Sequence, residues 1–156
     1  HTYIIAKKSH HRSMYCYMTE YEAKIDASLA IADNIEIMSE GKVAASYDKG
    51  SDGFKQLISA LSAMNKDGYE MPAFGVSIHD LTVKELDKGV WLAFNYNDTN
   101  SHNGMPFDRL LVQLHPDDCG YNLIRGNGGR YEGRCFYYNL NKGNMSELYN
   151  IVIASI

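Results

Sequence analysis

The stretch RLLVQLHPDDCGYNLIRGNGGRYEGRCFYYN, residues 109–139, decides the fold class. Runs at 109–114, 121–125 and 130–139 are rich in β-branched and aromatic residues and are separated by Asn-, Asp- and Gly-rich turns, which predicts three strands. The dipeptide Asn127-Gly128 is a strong local signal for a tight hairpin between the last two strands. Strands joined by short turns pair antiparallel, so we expect an antiparallel sheet.

The segments upstream of this stretch add further strands. One is predicted at 90–96, and a hairpin formed by 35–38 and 43–47 turns at Glu40-Gly41. Shorter strands are predicted, from their aromatic and β-branched residues, at 2–7, 14–18 and 73–78.

Helices are predicted between and after these strands. The clearest lies at 52–66, where apolar residues recur at helical spacing between a capping Ser51 or Asp52 and a stop at Gly68. A capping box starting at Thr19 predicts a helix over 20–32, with an extended conformation of 24–31 as the alternative. Two more helices are predicted, a short one at 82–89 and a C-terminal one capped by Asn144.

These elements predict one α+β domain over residues 1–156. Because strands and helices do not alternate regularly, we expect an antiparallel sheet of about six or seven strands with the two longer helices on one face. The core is expected to come from the apolar residues Phe54, Leu57, Ile58, Leu61, Trp91, Ala93, Leu111, Val112, Leu148 and Val152.

Composition excludes several classes of protein. The 156 residues are 45% hydrophobic and 22% charged, values that exclude a disordered or collagen-like chain. The net charge of −4 argues against bulk affinity for nucleic acid. Apolar runs such as 90–94 fall far short of the roughly 20 residues of a membrane helix, so no membrane association is expected.

The cysteines and the N-terminal residues indicate the cellular compartment. Cys16, Cys119 and Cys135 form neither an even set nor a CxxC motif, which predicts free thiols and no structural zinc. The N-terminal residues lack the order of a signal peptide. The odd cysteine count favours a reducing, cytoplasmic environment, and one disulfide plus one free thiol in an exported protein is the alternative. No cofactor is expected, because neither a Walker loop nor a dinucleotide-binding GxGxxG is found.

The Gly- and Arg-rich C-terminal hairpin is the main candidate binding site. Its glycines would let the backbone approach a ligand closely, and Arg125, Arg130 and Arg134 supply cations suited to an anion. Tyr131 adds an aromatic contact of the kind enriched at interfaces. Strand alternation puts Arg130, Glu132 and Arg134 on one face, so a solvated salt-bridge ladder is the alternative.

We therefore predict a non-catalytic binding module that recognises another protein or a small anionic ligand through this hairpin. The alternative is a small hydrolase- or transferase-like enzyme built from separate loops, with the candidate residues His79, His115, Asp117, Asp118 and Cys119. No acid–base or nucleophile set has a recognisable spacing, and Pro-Asp-Asp is also ordinary turn sequence.

Two other sites have less support. A further alternative is a nucleic-acid-contacting accessory protein that uses the basic patch at 7–12, beside Tyr15 and Tyr17, together with the arginines at 125, 130 and 134. The patch is short and the net charge is negative, so nucleic acid is the less favoured partner. The Asn- and Asp-rich segment 95–103 offers oxygen ligands at two-residue spacing, yet it misses the glycine and glutamate positions of a calcium loop. No metal site is therefore predicted.

Overall fold

The first hairpin forms where the sequence predicts it. The computed structural model describes residues 28–70, 76–78, 80–102, 105–131 and 134–156. Within it, β1 (Asn34–Ser39) pairs antiparallel with β2 (Lys42–Asp48). The two turn residues, Glu40 and Gly41, have φ angles of 50° and 79°. Two successive left-handed residues give the tight turn whose twist matches that of the strands it joins.

A single antiparallel meander forms most of the sheet. Its long strands are β5 (Val90–His102), β6 (Met105–Leu114), β7 (Gly120–Gly126) and β8 (Arg134–Leu140). The two-residue strands β3 (Tyr69–Glu70) and β4 (Val76–Ser77) both pair with β8. The strand order is β2-β1-β5-β6-β7-β8-β3, which confirms the α+β class with an antiparallel sheet. The strands predicted at 2–7 and 14–18 lie outside the described residues, as does the first half of the one at 73–78, whose second half contains β4.

Two strand boundaries differ from the prediction. β8 begins at Arg134 instead of residue 130, because Asn127 and Arg130 pair only with each other across a tight turn. Gly128 and Gly129 form that turn with φ angles of 60° and 80°. β5 runs on to His102, past the predicted end at residue 96, with a register shift between Asn95 and Asn100. The polar 95–103 segment is therefore largely strand.

The helices predicted at 52–66 and at the C-terminus agree with the sequence signals, but the helix predicted at 82–89 begins earlier, at Asp80, and ends at Glu85, so Thr82 lies inside it and does not cap it. Helix α1 (Asp52–Met64) starts after Ser51, whose hydroxyl accepts a hydrogen bond from the Phe54 N–H at 3.3 Å. The later helices are α2 (Asp80–Glu85) and α3 (Ser146–Ala154), and the Asn144 side chain accepts from the Ser146 N–H ahead of α3. Of the predicted helix 20–32, residues 28–32 are described: 28–30 are helical, and residues 31 and 32 lie beyond the end of the helix.

The buried apolar residues form two clusters, one on each face of the sheet. The larger cluster joins the buried side chains of α1 and α3 to strand residues such as Ile37, Leu92 and Val112. The smaller one comprises Trp91, Ala93, Leu111, Ile124 and Cys135. Successive residues of a strand point to opposite faces, so Trp91 and Leu92 belong to different clusters. All ten predicted core residues are buried or, for Ile58, partly buried, but they divide between the two faces.

Candidate functional site

The turn of the C-terminal hairpin presents two of the predicted site residues. Arg130 is exposed, and Tyr131 is partly buried. The Gly128 N–H donates a hydrogen bond of 3.1 Å to Asp108 Oδ2, which fastens the turn to β6. A Cβ atom placed on Gly126 would lie 2.9 Å from Cε1 of Tyr131, so the tyrosine ring rests directly on the glycine.

Arg125 lies inside the protein. Only 2% of its surface is exposed, and it pairs in register with Leu110, on the sheet face that the larger cluster occupies. Its guanidinium carbon is 4.8 Å from the ring centre of Phe136, a cation–π contact, and Nη2 lies 3.0 Å from the sulfur of Met105. Burial lowers the pKa of Arg125 to about 10, so the group is still charged at neutral pH.

Arg134, the remaining predicted site residue, opens β8 and pairs with Ser77 in β4. The prediction that its side chain shares a face with Glu132 lies outside the described residues. The structure therefore brings Arg130 and Tyr131 together at the turn and separates both from the guanidinium of Arg125, which packs in the core.

A row of polar side chains crosses the sheet next to Tyr131. Asn34, Asn95, Arg109 and Gly126 are successive register partners on β1, β5, β6 and β7. Register partners project from the same face of a sheet. Asn95 and Arg109 lie an even number of residues from Trp91 and Leu111 on their strands, so they share the face of the smaller cluster, opposite α1 and α3. Tyr131 covers the glycine that ends the row.

Hydrogen bonds join this polar row into a network. Arg109 Nη1 donates to Asn95 Oδ1 at 2.6 Å and to Glu36 Oε1 at 3.0 Å. Asn95 Nδ2 donates to the same Glu36 oxygen and to Asn34 Oδ1, each at 3.0 Å. Asn34 Nδ2 in turn donates to Asp48 Oδ1 at 3.0 Å. The chain of contacts fixes one end of the Arg109 guanidinium.

The other edge of that guanidinium is differently placed. Nη2 contacts the sulfur of Met38 at 3.9 Å, a weak acceptor at long range, and Nε finds no acceptor among the described residues. Nε and Nη2 together form the fork that binds a carboxylate or phosphate through two parallel hydrogen bonds. The Arg109 side chain is 24% exposed, so it lies at the boundary between the smaller cluster and solvent.

The enzyme-type residues separate into two places. His115 lines a cavity of about 210 Å³ together with Glu85, Lys88 and Gln113, and its Nε2 is buried without a partner among the described residues. Burial raises the pKa of Glu85, but the hydrogen bond from Lys88 helps to bring the net pKa below its ordinary value. His79 lies outside the described residues.

Asp118 and Cys119 lie near Tyr137. Burial raises the pKa of Tyr137, and the charges of Asp118 and Cys119 raise it further. Neither Asp118 nor Cys119 lines the His115 cavity, and the same is true of Asp117. The basic patch at residues 7–12 lies outside the described residues.

Sequence reasoning did not identify the residues that organise this site. Glu36, Asn95 and Arg109 are separated in the sequence, and Asn95 and Arg109 each adjoin a continuous apolar run, so no alternation of polar and apolar residues marks them. The period of a strand relates each side chain only to its neighbours two residues away on the same strand. Only the register between strands, which the turns and the core set together, brings the three side chains into contact.

Gly126→Ala provides a test of the contact between the turn and the polar row. The new methyl group would meet the Tyr131 ring at 2.9 Å, so we expect the ring to be displaced at a cost of about 1 kcal/mol. Aromatic proton shifts of Tyr131 in NMR spectra measure the displacement. Lys55→Ala, at an exposed position of α1 away from the polar row, is the control, and unchanged Tyr131 shifts are expected there. Equal shifts in both variants would contradict the contact.

Within the described part of the chain, other site types are not found. No helix there is long and apolar enough to cross a membrane. No group of three or more His, Cys, Asp or Glu side chains there could hold a metal ion. Of the described cysteines, Cys119 is exposed and Cys135 is buried, and neither forms a disulfide.

Comparison with known proteins gives no relative from which residue roles could be transferred. No protein family, curated protein or solved structure matches the chain. The function therefore has to be argued from the chemistry of Arg109 and its neighbours.

Proposed function

We propose that this protein is a non-catalytic binding module that takes an anionic group, a carboxylate or a phosphate, at Arg109 beside the hairpin turn. The observation that carries the proposal is the division of the Arg109 guanidinium into two edges. Nη1 is held by Asn95 and Glu36, whereas the Nε and Nη2 fork has only a sulfur contact at 3.9 Å among the described residues.

A guanidinium held at one end is well suited to bind at the other. Side-chain ordering is a main cost of recognising a ligand with a flexible arginine, and the network through Asn95 and Asn34 has already ordered this one. The Glu36 carboxylate balances the charge of Arg109 in the free protein. An anion that adds two hydrogen bonds to the fork would therefore gain directional contacts at little further ordering cost.

The hairpin turn supplies the rest of the proposed surface. Tyr131 would provide an aromatic wall beside the anion, because its ring lies on Gly126, the register partner of Arg109. Arg130, exposed at the tip, would add a second cation. In this proposal Arg130 and Tyr131 contact the ligand, whereas Arg125 is a buried cation within the sheet.

Access to the fork requires one local movement. Arg109 Nε has almost no contact with solvent, and Met38 is the described residue whose side chain contacts Nη2. Methionine is unbranched and flexible, so it can change rotamer at low cost and then pack against an apolar part of the ligand. A ligand with an anionic head and a short apolar body, such as an acidic peptide terminus or a small organic acid, fits this arrangement.

NMR titration with sodium acetate tests the proposal, with sodium chloride as the control for ionic strength. The Nε–Hε signal of Arg109 is expected to shift saturably with acetate, while the Nε–Hε signal of buried Arg125 stays unchanged. In Arg109→Lys the charge remains but the fork is lost, so acetate affinity measured at the Gly126 amide should fall at least tenfold. Sodium phosphate serves as the second probe, since it shares the same recognition chemistry.

Two outcomes would contradict this function. One is a linear shift of Arg109 that chloride reproduces at equal ionic strength. The other is an acetate response in Arg109→Lys as strong as in the natural chain. In either case the NMR shift would reflect general ionic screening and not binding of acetate to the Nε and Nη2 fork.

An acid–base enzyme is the second candidate, supported by the cavity that His115 shares with Glu85. The hydrogen bond between Glu85 and Lys88, at 3.3 Å, already occupies the carboxylate. No serine, cysteine or threonine lines this cavity among the described residues. The binding module therefore has the stronger support.

The proposed setting is cytoplasmic, with no membrane partner. An exposed free thiol such as Cys119 is stable in a reducing compartment and is prone to oxidation outside one.

A further inference from the structure

Strand β2 lies at an edge of the sheet. In the described part of the chain it pairs with β1 alone, and the strand order ends with it. Five of its seven residues are exposed, and Val43 is 52% exposed, one of few large apolar side chains in contact with solvent. An edge strand offers a row of backbone N–H and C=O groups that can pair with another strand.

The charges of β2 favour one kind of partner strand. The strand reads KVAASYD, with Lys42 at its start, Asp48 at its end and small residues in the middle. Two copies aligned antiparallel place the Lys42 end of each against the Asp48 end of the other. Two copies aligned parallel and in register place lysine against lysine and aspartate against aspartate, which is repulsive.

We propose that β2 pairs antiparallel with β2 of a second copy of this chain, around a two-fold axis near Ala45, so that the sheet continues across a dimer. A two-fold axis makes the contact self-complementary, so each pairing of unlike charges occurs twice. Asn34 donates to Asp48 at 3.0 Å and so holds that carboxylate in position at the edge.

The bulge in the hairpin shapes this interface. The β1–β2 register shifts between Ile37 and Met38, where Ala44 is the unpaired extra residue. Bulges and edge lysines guard a sheet against promiscuous pairing, and here they restrict the choice of register. With the two-fold axis near Ala45, Lys42 of each copy faces Asp48 of the other.

The interface is short, so the dimer is expected to depend on concentration. Seven residues from each copy bury less surface than a standard stable interface needs. Sedimentation velocity over a concentration series should show the mass rising from one chain towards two.

Charge exchange at Lys42 and Asp48 tests the pairing. Lys42→Asp alone and Asp48→Lys alone each put like charges against each other, so each variant should remain monomeric at concentrations where the natural chain dimerises. The double variant exchanges the two charges and should dimerise again. An equimolar mixture of the two single variants should also give a dimer, containing one copy of each.

A control variant separates this effect from a general change in charge. Lys55→Asp alters an exposed residue of α1 by the same two charge units and should dimerise normally. Thermal melts of every variant establish that each one folds. A natural chain that stays monomeric at high concentration would overturn the proposal, as would dimerisation of both single variants or a double variant that fails to recover.

Discussion

Trp91→Ala is expected to lower the free energy of unfolding by about 4 kcal/mol. The indole is completely buried in the smaller cluster, on the sheet face opposite α1 and α3. Its Nε1–H donates to two backbone carbonyls, of Lys88 at 2.9 Å and of Glu85 at 3.2 Å. Alanine would remove the packing and leave both carbonyls without that donor, so two costs add.

A conservative variant separates these two costs. Trp91→Phe keeps most of the aromatic packing and removes the hydrogen bonds, so a loss of about 1 to 2 kcal/mol is expected. Val83→Ala, at an exposed position of α2, is the control and should change stability by no more than about 0.5 kcal/mol. Urea denaturation followed by circular dichroism measures all three. A cost below 1 kcal/mol for Trp91→Ala would show that the smaller cluster is not a true core.

Arg125→Ala is expected to cost about 3 kcal/mol of stability and to leave anion binding at Arg109 unchanged. Arg125 is only 2% exposed, so truncation of its side chain would leave a cavity beside Phe136. The cation–π contact at 4.8 Å and the contact with the Met105 sulfur at 3.0 Å would both disappear. With a pKa of about 10 the group keeps its charge from pH 6 to pH 8, so the loss should be the same throughout that range.

Arg125→Met restores length and volume without the charge. We expect it to recover at least half of the loss, because the core around Phe136 is filled again. The urea midpoints of Arg125→Ala and Arg125→Met measure stability. Acetate titrations of the same two variants measure anion binding, so the two effects are separated. If Arg125→Ala is as stable as the natural chain but no longer binds acetate, Arg125 is a recognition residue, and the division between Arg125 and Arg109 is wrong.

The local elements of this fold are largely readable from the sequence. Side-chain shape and backbone preference act over a few residues, so β-branched runs predict strands and apolar spacing predicts helix α1. The Glu40-Gly41 turn and the Gly128-Gly129 turn, which lies one residue after the predicted Asn127-Gly128 position, follow from the need for left-handed residues in tight hairpins. These signals need no information from distant parts of the chain.

The sheet face to which each side chain points is harder to predict from the sequence. Every residue of β7 is buried, so its sequence carries no alternation of polar and apolar residues from which to decide where Arg125 points. The hairpin could therefore be predicted while the burial of its first arginine could not. The same reason explains why the expected core divides between two sheet faces.

The sequence by itself determined the α+β class and the hairpins, although it predicted Arg130 and Tyr131 in a strand that begins only at Arg134. Tertiary structure alone decided that Glu36, Asn95 and Arg109, separated by 59 and 14 residues, share one hydrogen-bond network. Such a network depends on strand register, and register is settled by the packing of the entire sheet, because slipping a strand by one residue would turn all its side chains to the other face.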